Sequence, residues 1–269
     1  RNLCGNHPPV SLEDLPLTGP AHLHSMWGAP GRDIARIVTL STSGTIGAPK
    51  RIAFTQADIE RTLEFFAVGI GQVLSRGGRA LTLLPGAAPH GVSDLVARAC
   101  QTLGARCDVG SPAPAATYDL VVAMPQQALR LALMSCPPRW ALLSADYVPR
   151  SIVARLNTMG VSVLEHYGMT ETCFGGAVTC PVGDATQHIR DADLYFEVID
   201  PATGAPLPTN TPGELVITSL TGCGTPLLRY RTGDDASLVD TPCACGGTSC
   251  RLGRVLGRIG GNVRLGQAK

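Results

Sequence analysis

Along the 269-residue chain, short apolar runs alternate with longer runs of helical period. The runs "RIVTL" (36–40), "RALTLL" (79–84), "ARCDV" (105–109), "YDLVVAM" (118–124), "WALLSA" (140–145) and "GVSVLE" (160–165) read as strands. Between them, "QADIERTLEFFAVGIGQVLS" (56–75), "GVSDLVARACQTLG" (91–104), "PQQALRLALMS" (125–135) and "VPRSIVARLNTMG" (148–160) read as helices. This alternation predicts an α/β fold, a mostly parallel sheet flanked by helices. Ligands of such sheets bind beyond the carboxyl ends of the strands, where the polar loop after "RIVTL" is expected to lie. After about residue 175 the texture changes. "LYFEVIDPATGAPLPTNTPGELVITSL" (194–220) alternates apolar and polar residues, with turn signals at Pro201, Gly204, Pro208 and Pro212. That pattern predicts antiparallel hairpins, so the expected organisation is an α/β subdomain over 1–175 and a smaller β-rich subdomain over 176–269.

A hydrophobic content of 44% is enough for a substantial core. Net charge of +1 with 16% charged residues supplies no field to gather nucleic acid or anionic membrane. The N-terminus lacks a signal-peptide pattern, and no apolar run approaches the roughly 18 residues of a membrane helix, so the cytoplasm is the expected compartment. Ten cysteines are too sparse and irregular for a disulfide framework and point to buried thiols plus a metal site.

Among 22 basic residues only Lys50 and Lys269 are lysines, and Lys50 closes the polar loop "TLSTSGTIGAPKR" (39–51). Backbone N–H groups of a Gly-rich turn, hydroxyls and one compact cation suit phosphate oxygens. The spacing is not that of a Walker loop: counted from Gly44, Pro49 stands where Gly is required and Arg51 where Ser or Thr would hold magnesium. Phosphate cradle and ordinary loop both remain open on composition. Two further stretches carry chemistry. "EHYGMTETCFGG" (165–176) offers Tyr167, Gly168, Thr170 and Glu171 at a strand end, with a carboxylate suited to Mg²⁺ or simply a polar turn. "RYRTGDDASL" (229–238) sets Asp234 after a Gly turn, to hold ribose hydroxyls or to cap a hairpin tip.

In order, "TSGTIGAPK", "YGMTE", "GELVIT", "YRTGD" and the pair Gly257–Arg258 resemble the adenylate-forming (AMP-binding) superfamily, in particular its branch of phenylacetate-CoA ligases and related aryl-CoA ligases. The resemblance implies a truncated N-terminal domain of an acyl- or aryl-CoA ligase. It implies that Thr42, Ser43, Gly44, Thr45 and Lys50 form the phosphate loop, with Ile46 in place of a usual Thr. Ser144, Ala145 and Asp146 match the segment lining the adenine. Tyr167 packs on the purine beside Gly168, Thr170 meets the α-phosphate and Glu171 holds Mg²⁺. Asp234 takes the ribose and Arg258 reaches the nucleotide. His90, Tyr167 and Gly175 fall in the acid pocket, although a loop histidine capping a helix is an equal reading of His90. "CACGGTSC" (243–250) resembles the branch's "CPCGR"-type segment. It implies a structural Zn²⁺ on Cys180, His188, Cys243 and Cys245, with Cys250 able to replace one ligand. Cys4, Cys100, Cys107, Cys136, Cys173 and Cys223 read as core or loop thiols.

The implied reaction is ATP-dependent activation of a carboxylic acid, aryl or small organic, to an acyl-adenylate with release of pyrophosphate. Lys50, Thr170 and Glu171 carry catalysis, and CoA, a carrier protein or a separate enzyme accepts the acyl group. After Arg258 the text "IGGNVRLGQAK" shows neither the family's hinge carboxylates nor its C-terminal domain, and Lys269 cannot replace that domain's lysine. The chain is therefore expected to be a naturally minimal adenylating protein or a fragment. The alternative function is a non-catalytic nucleotide- or acyl-adenylate-binding module, or a degenerate partner subunit.

Overall fold

The computed structural model describes residues 11–260 except 24, 29–33, 43–49, 113–116, 134–136 and 222–223. After three short 3₁₀ turns, Leu12–Asp14, Pro20–His22 and Ser25–Gly28, come β1 (Arg36–Thr42) and β2 (Lys50–Thr55). The chain continues through α1 (Gln56–Gly71), β3 (Arg79–Thr82), α2 (Val92–Thr102), β4 (Arg106–Val109), β5 (Leu120–Ala123), α3 (Pro125–Ala132), β6 (Trp140–Leu143), α4 (Arg150–Thr158) and β7 (Ser162–Tyr167). Eight further strands follow: β8 (Ala177–Thr179), β9 (Gln187–Ile189), β10 (Leu194–Ile199), β11 (Gly213–Ser219), β12 (Tyr230–Ala236), β13 (Leu238–Val239), β14 (Arg251–Leu252) and β15 (Gly257–Arg258). These elements form two compact units from interleaved segments: residues up to 55, 191–240 and from 252 onward in one, 56–190 with 241–251 in the other.

The second unit is the expected α/β layer structure. Its strands run β9-β8-β7-β6-β5-β3-β4, parallel from β4 to β7, with β8 and β9 antiparallel at one side. All four residues of β5 are buried, as in a strand covered on both faces. Val121 and Ala123 of β5, with Ala141 and Leu143 of β6, pack on Ala128 and Leu131 of α3 and Leu156 of α4. Val122 and Leu142 turn to the opposite face, toward Phe66 and Ile70 of α1 and Val96 of α2. Each of the Val, Leu, Ile and Phe side chains taken from water contributes roughly 1.5–3 kcal/mol. Two helices end on a left-handed glycine that turns the chain into the next strand. Gly104 (φ +71°) lets Ala105 N–H reach Cys100 O, and Gly160 (φ +78°) lets Val161 N–H reach Leu156 O.

In the first unit, β1 and β2 form an antiparallel hairpin of their own, with Thr42 opposite Lys50. The polar loop 43–49 therefore joins a hairpin rather than leaving a parallel strand, which corrects its expected placement. Strand β2 lay hidden in the sequence because Ile52, Ala53 and Phe54, all buried, form too short an apolar run to declare a period. The free edge of β2 is covered by Thr225, whose hydroxyl accepts from Ala53 N–H (2.8 Å) and donates to Ala53 O (3.1 Å). Strands β10, β11 and β12 form the expected antiparallel meander, which β15 extends beside β12.

A single cut near residue 175 does not describe these units. The α/β unit keeps β8 and β9, which continue its sheet, and takes back 241–251 through the buried Arg251. Arg251 Nη1 reaches Asp184 (2.9 Å) and Nη2 donates to Thr241 O (2.7 Å). The cysteine-rich segment thus belongs with the α/β unit and not with the β-rich one.

Candidate functional site

Backbone strain in the α/β unit collects at the carboxyl ends of its parallel strands. Left-handed non-glycine residues occur after β3 (His90, φ 65°), after β6 (Ala145, φ 66°) and after β7 (Cys173, φ 51°, and Phe174, φ 67°). Such conformations each cost on the order of 1–3 kcal/mol and gather at working loops. The carboxyl ends are also where an open α/β sheet holds its ligand.

The turn after β7 explains the local sequence "YGMTE". A Cβ on Gly168 would lie 2.0 Å from Phe174 O, so only glycine lets the two backbones approach. The turn is closed by Phe174 N–H to Met169 O (2.9 Å) and Gly176 N–H to Tyr167 O (3.1 Å). Within it, a single 3₁₀ turn, Thr170–Thr172, carries Thr170 half-buried and Glu171 buried. Tyr167 is buried, and its N–H donates to Gln187 Oε1 (2.9 Å). Ala145 and the exposed Asp146 form the turn after β6, where Asp146 Oδ1 accepts from Tyr147 N–H (2.7 Å). His90 donates its backbone N–H to Asp94 Oδ2 (2.9 Å) at the entry to α2, whose N-cap is Gly91, while His90 Nδ1 is buried without a hydrogen-bond partner and caps nothing.

Ser144 and His166 belong to an arrangement that motif matching missed. An apolar cavity lies between α1, α2 and the sheet, walled by Phe65, Phe66, Gly69, Ile70, Leu84, Val92, Val96, Val122, Leu142 and Val178. Ser144 and His166 supply its polar groups. Ser144 Oγ and His166 Nδ1 are 2.8 Å apart, while His166 Nε2 is buried with no hydrogen-bond partner. Neither His90, Tyr167 nor Gly175 lines this cavity, although a Cβ on Gly175 would come within 2.7 Å of Phe65, a cavity wall. The available signal was strand parity: Leu142, Ser144 and His166 project to the face of α1.

Burial pushes the His166 imidazole down to about 4, so it is neutral near pH 7. An unfolded histidine titrates near 6.5. Between those values the unfolded chain binds more protons than the native one, so stability falls as pH drops from about 6.5 toward 4, by up to about 3 kcal/mol. Urea midpoints measured across that range should show this loss, and His166→Gln should flatten it; identical pH profiles for both proteins would refute the assignment.

In the first unit, Ser43, Gly44 and Thr45 lie outside the described residues, as does the side chain of Thr42. Lys50 begins β2, and its Nζ donates to Tyr230 Oη at 3.3 Å. Tyr230 starts β12, the strand that carries Asp234. Asp234 was expected after a tight turn. Instead, Gly233 (φ +77°) sits within β12, whose pairing with β11 is shifted, and Asp234 lies opposite Arg258 of β15. Arg258 Nε is 3.1 Å from Asp234 Oδ1, and its Nη1 donates to Thr232 O. The carboxylate expected to take the ribose and the arginine expected to reach the nucleotide are thus joined directly.

The structure also gathers Cys180, His188, Cys243 and Cys245, whose ligand atoms all lie within 4.8 Å of one another. Cys245 Sγ is 3.5 Å from His188 Nε2. Tetrahedral zinc with bonds near 2.3 Å holds its sulfurs about 3.8 Å apart, so this donor set fits the ion with small adjustment. Two glycines make the approach possible: a Cβ on Gly183 would meet Cys243 Sγ at 2.9 Å, and one on Gly247 would meet His188 Cε1 at 3.0 Å. The Cys245 backbone N–H holds the Cys243 thiol below its ordinary range, while burial raises that of Cys180. Cys250 is not a member of the cluster. Among the other cysteines, Cys100 and Cys173 are buried and Cys107 is half-buried. Cys4, Cys136 and Cys223 lie outside the described residues.

Residues 32–221 match the model of the family described as AMP-binding enzyme. Phenylacetate-coenzyme A ligase from Thermus thermophilus is 28% identical over 277 residues, covering 92% of this chain and 61% of that protein. The Pseudomonas putida phenylacetate-coenzyme A ligase is 29% identical over 296 residues, covering 95% and 64%. The chain thus spans a little over three fifths of these relatives' length. In fold it is similar to an open conformation of 2-hydroxyisobutyryl-CoA ligase in complex with 2-HIB-AMP and CoA, with TM-score 0.76 and 18% identity over 92% of this chain and 66% of that one. The Bacillus subtilis O-succinylbenzoate coenzyme A synthetase in complex with AMP gives TM-score 0.60 and 19% identity over 84% and 50%. The chain belongs to the AMP-binding enzyme family, on the side of it that resembles phenylacetate-CoA ligases.

Proposed function

We propose that this chain carries the carboxylate-activating reaction of an acyl- or aryl-CoA ligase. A carboxylate oxygen attacks the α-phosphorus of ATP, the α–β phosphoanhydride bond breaks and pyrophosphate departs; the CoA thiol then attacks the carbonyl of the acyl-adenylate, forming the thioester as the C–O bond to phosphate breaks and AMP leaves. The observation that carries this reading is the family match across 32–221, which takes in the strained loops at the carboxyl ends of the sheet. Both reactants are anions, so catalysis rests on neutralising and aligning them rather than on a protein nucleophile. Lys50 supplies the cation for the phosphates, together with Thr42, Ser43, Gly44 and Thr45. Thr170 meets the α-phosphate, and Tyr167 and Gly168 pack on the purine beside Ser144, Ala145 and Asp146. Asp234 holds the ribose with Arg258 beside it. Glu171 is the residue to hold Mg²⁺, which would screen the phosphate charges. Cys180, His188, Cys243 and Cys245 would hold a structural Zn²⁺, a closed site with no position for reacting water. The cavity between α1, α2 and the sheet receives the acid's side chain. We place the protein in the cytoplasm, with its substrates ATP and CoA; among the described residues no helix is long and apolar enough to cross a membrane.

Exchange of labelled pyrophosphate into ATP, dependent on an added carboxylic acid, tests the reading. Glu171→Gln is expected to lower exchange by about 10²-fold or more, the scale of one lost transition-state contact. Undiminished magnesium-dependent exchange would remove Glu171 from its role. ATP binding without exchange for any acid would instead indicate a nucleotide-binding module.

A further inference from the structure

Within the cavity just described, one polar atom has no counterpart. His166 lines this chamber, which apart from Ser144 is walled by hydrocarbon, and its Nε2 is buried without a hydrogen-bond partner. Leaving such an atom unpaired costs on the order of 1–3 kcal/mol, so its place in the wall of a cavity calls for a partner. The ring itself is held in place. Its Nδ1 is 2.8 Å from Ser144 Oγ, and its ring centroid is 5.7 Å from that of Phe66, in a T-shaped pair, and 6.0 Å from that of Phe65, in a tilted one. We infer that the acid activated here carries a hydroxyl that pairs with His166 Nε2 inside this cavity. The inference rests on the adenylation reading and narrows its substrate.

The choice of a hydroxyl follows from the chemistry of the pair. Because burial keeps the ring neutral near pH 7, exactly one ring nitrogen carries a proton. If Ser144 donates to Nδ1, then Nε2 is a donor; if Nδ1–H donates to Ser144, then Nε2 is an acceptor. A hydroxyl satisfies either tautomer, whereas a carbonyl or an ether serves only the first. A charged substituent fits neither, since no side chain of opposite charge lines the cavity. The two phenyl walls favour a planar ring as the carrier of that hydroxyl, by edge and offset contacts.

The probes are 3- and 4-hydroxyphenylacetate and 3- and 4-hydroxybenzoate against phenylacetate and benzoate, titrated calorimetrically into the wild-type chain with ATP present. One hydroxylated acid should bind at least about tenfold tighter than its unsubstituted parent, because the parent leaves Nε2 unpaired. Nitrogen-15 spectra of the His166 ring should shift at Nε2 with that acid and not with its parent. His166→Phe should abolish the preference, and should this variant misfold, the wild-type spectra decide alone. Equal affinity of all pairs overturns the inference and leaves the adenylation reading intact. A hydroxyl preference without pyrophosphate exchange for any acid keeps the inference about the cavity and overturns that reading. No binding of any acid overturns both.

Discussion

Replacing Arg229 by alanine is expected to destabilise the first unit by about 3–5 kcal/mol, the cost of breaking a buried ion pair from one side. Arg229 is 4% exposed, and its guanidinium meets Glu197 of β10 twice, through Nε (3.2 Å) and Nη2 (2.9 Å). Its Nη1 donates to Glu13 O (2.8 Å) and Leu15 O (2.9 Å), fastening the N-terminal segment. Its own carbonyl accepts from Thr18 N–H at 2.9 Å. Truncation therefore leaves the Glu197 carboxylate, itself 8% exposed, buried beside an emptied space, and orphans two carbonyls. Urea unfolding monitored by circular dichroism reads the loss directly. The double variant Arg229→Met with Glu197→Leu removes both charges and is expected to recover most of it. A loss below about 1 kcal/mol for Arg229→Ala would show that the pair is not buried as described. Arg229 immediately precedes β12, so the same loss loosens the strand that presents Tyr230 to Lys50 and Asp234 to Arg258.

The sequence announced the α/β layers because their determinants are local. Helices α2 and α4 end on Gly104 and Gly160, and strands β5 and β6 are apolar on both faces because both are covered. Motif order singled out Glu171 and Asp234, and what the structure explains locally is the glycines near them, Gly168 by its close approach to Phe174 O and Gly233 by its φ of +77°. What stayed hidden depends on distant segments. Nothing near "CACGGTSC" says that Arg251 will bind Asp184, 67 positions earlier, and so return 241–251 to the α/β unit. The hairpin of β1 with β2 was missed because β2 owes part of its burial to Thr225, 172 positions from Ala53. Nothing in the sequence alone sets His166 apart between Glu165 and Tyr167. Only the strand's alternation, read together with Ser144 on the neighbouring strand, turns it toward a cavity.

Removing metal is expected to produce the other large effect. We propose above that Cys180, His188, Cys243 and Cys245 hold zinc, and the local structure supports a closed structural site. Cys180 directly follows β8 and His188 lies within β9, while the other two lie on the returning segment 241–251. A bond through the metal ties segments about 60 residues apart, and closing so long a loop in the unfolded chain carries an entropic cost that the metal removes. Structural zinc sites in small domains supply on the order of 10 kcal/mol. Even half of that, in a unit of this size, corresponds to a Tm lower by roughly 10–20 °C. Purified protein should contain one zinc per chain by elemental analysis, and cobalt substituted for it should show thiolate charge-transfer bands. Chelation with phenanthroline should lower Tm by that amount, and amide exchange should rise first in 241–251, which carries two of the four ligands and loses its tie to β8 and β9 through them. Cys243→Ser should reproduce the chelated state, whereas Cys250→Ser, outside the cluster, should keep the metal. Protein that contains no zinc and melts identically with and without chelator would remove the metal from the account, leaving a cluster of thiols held by Arg251 and glycine packing.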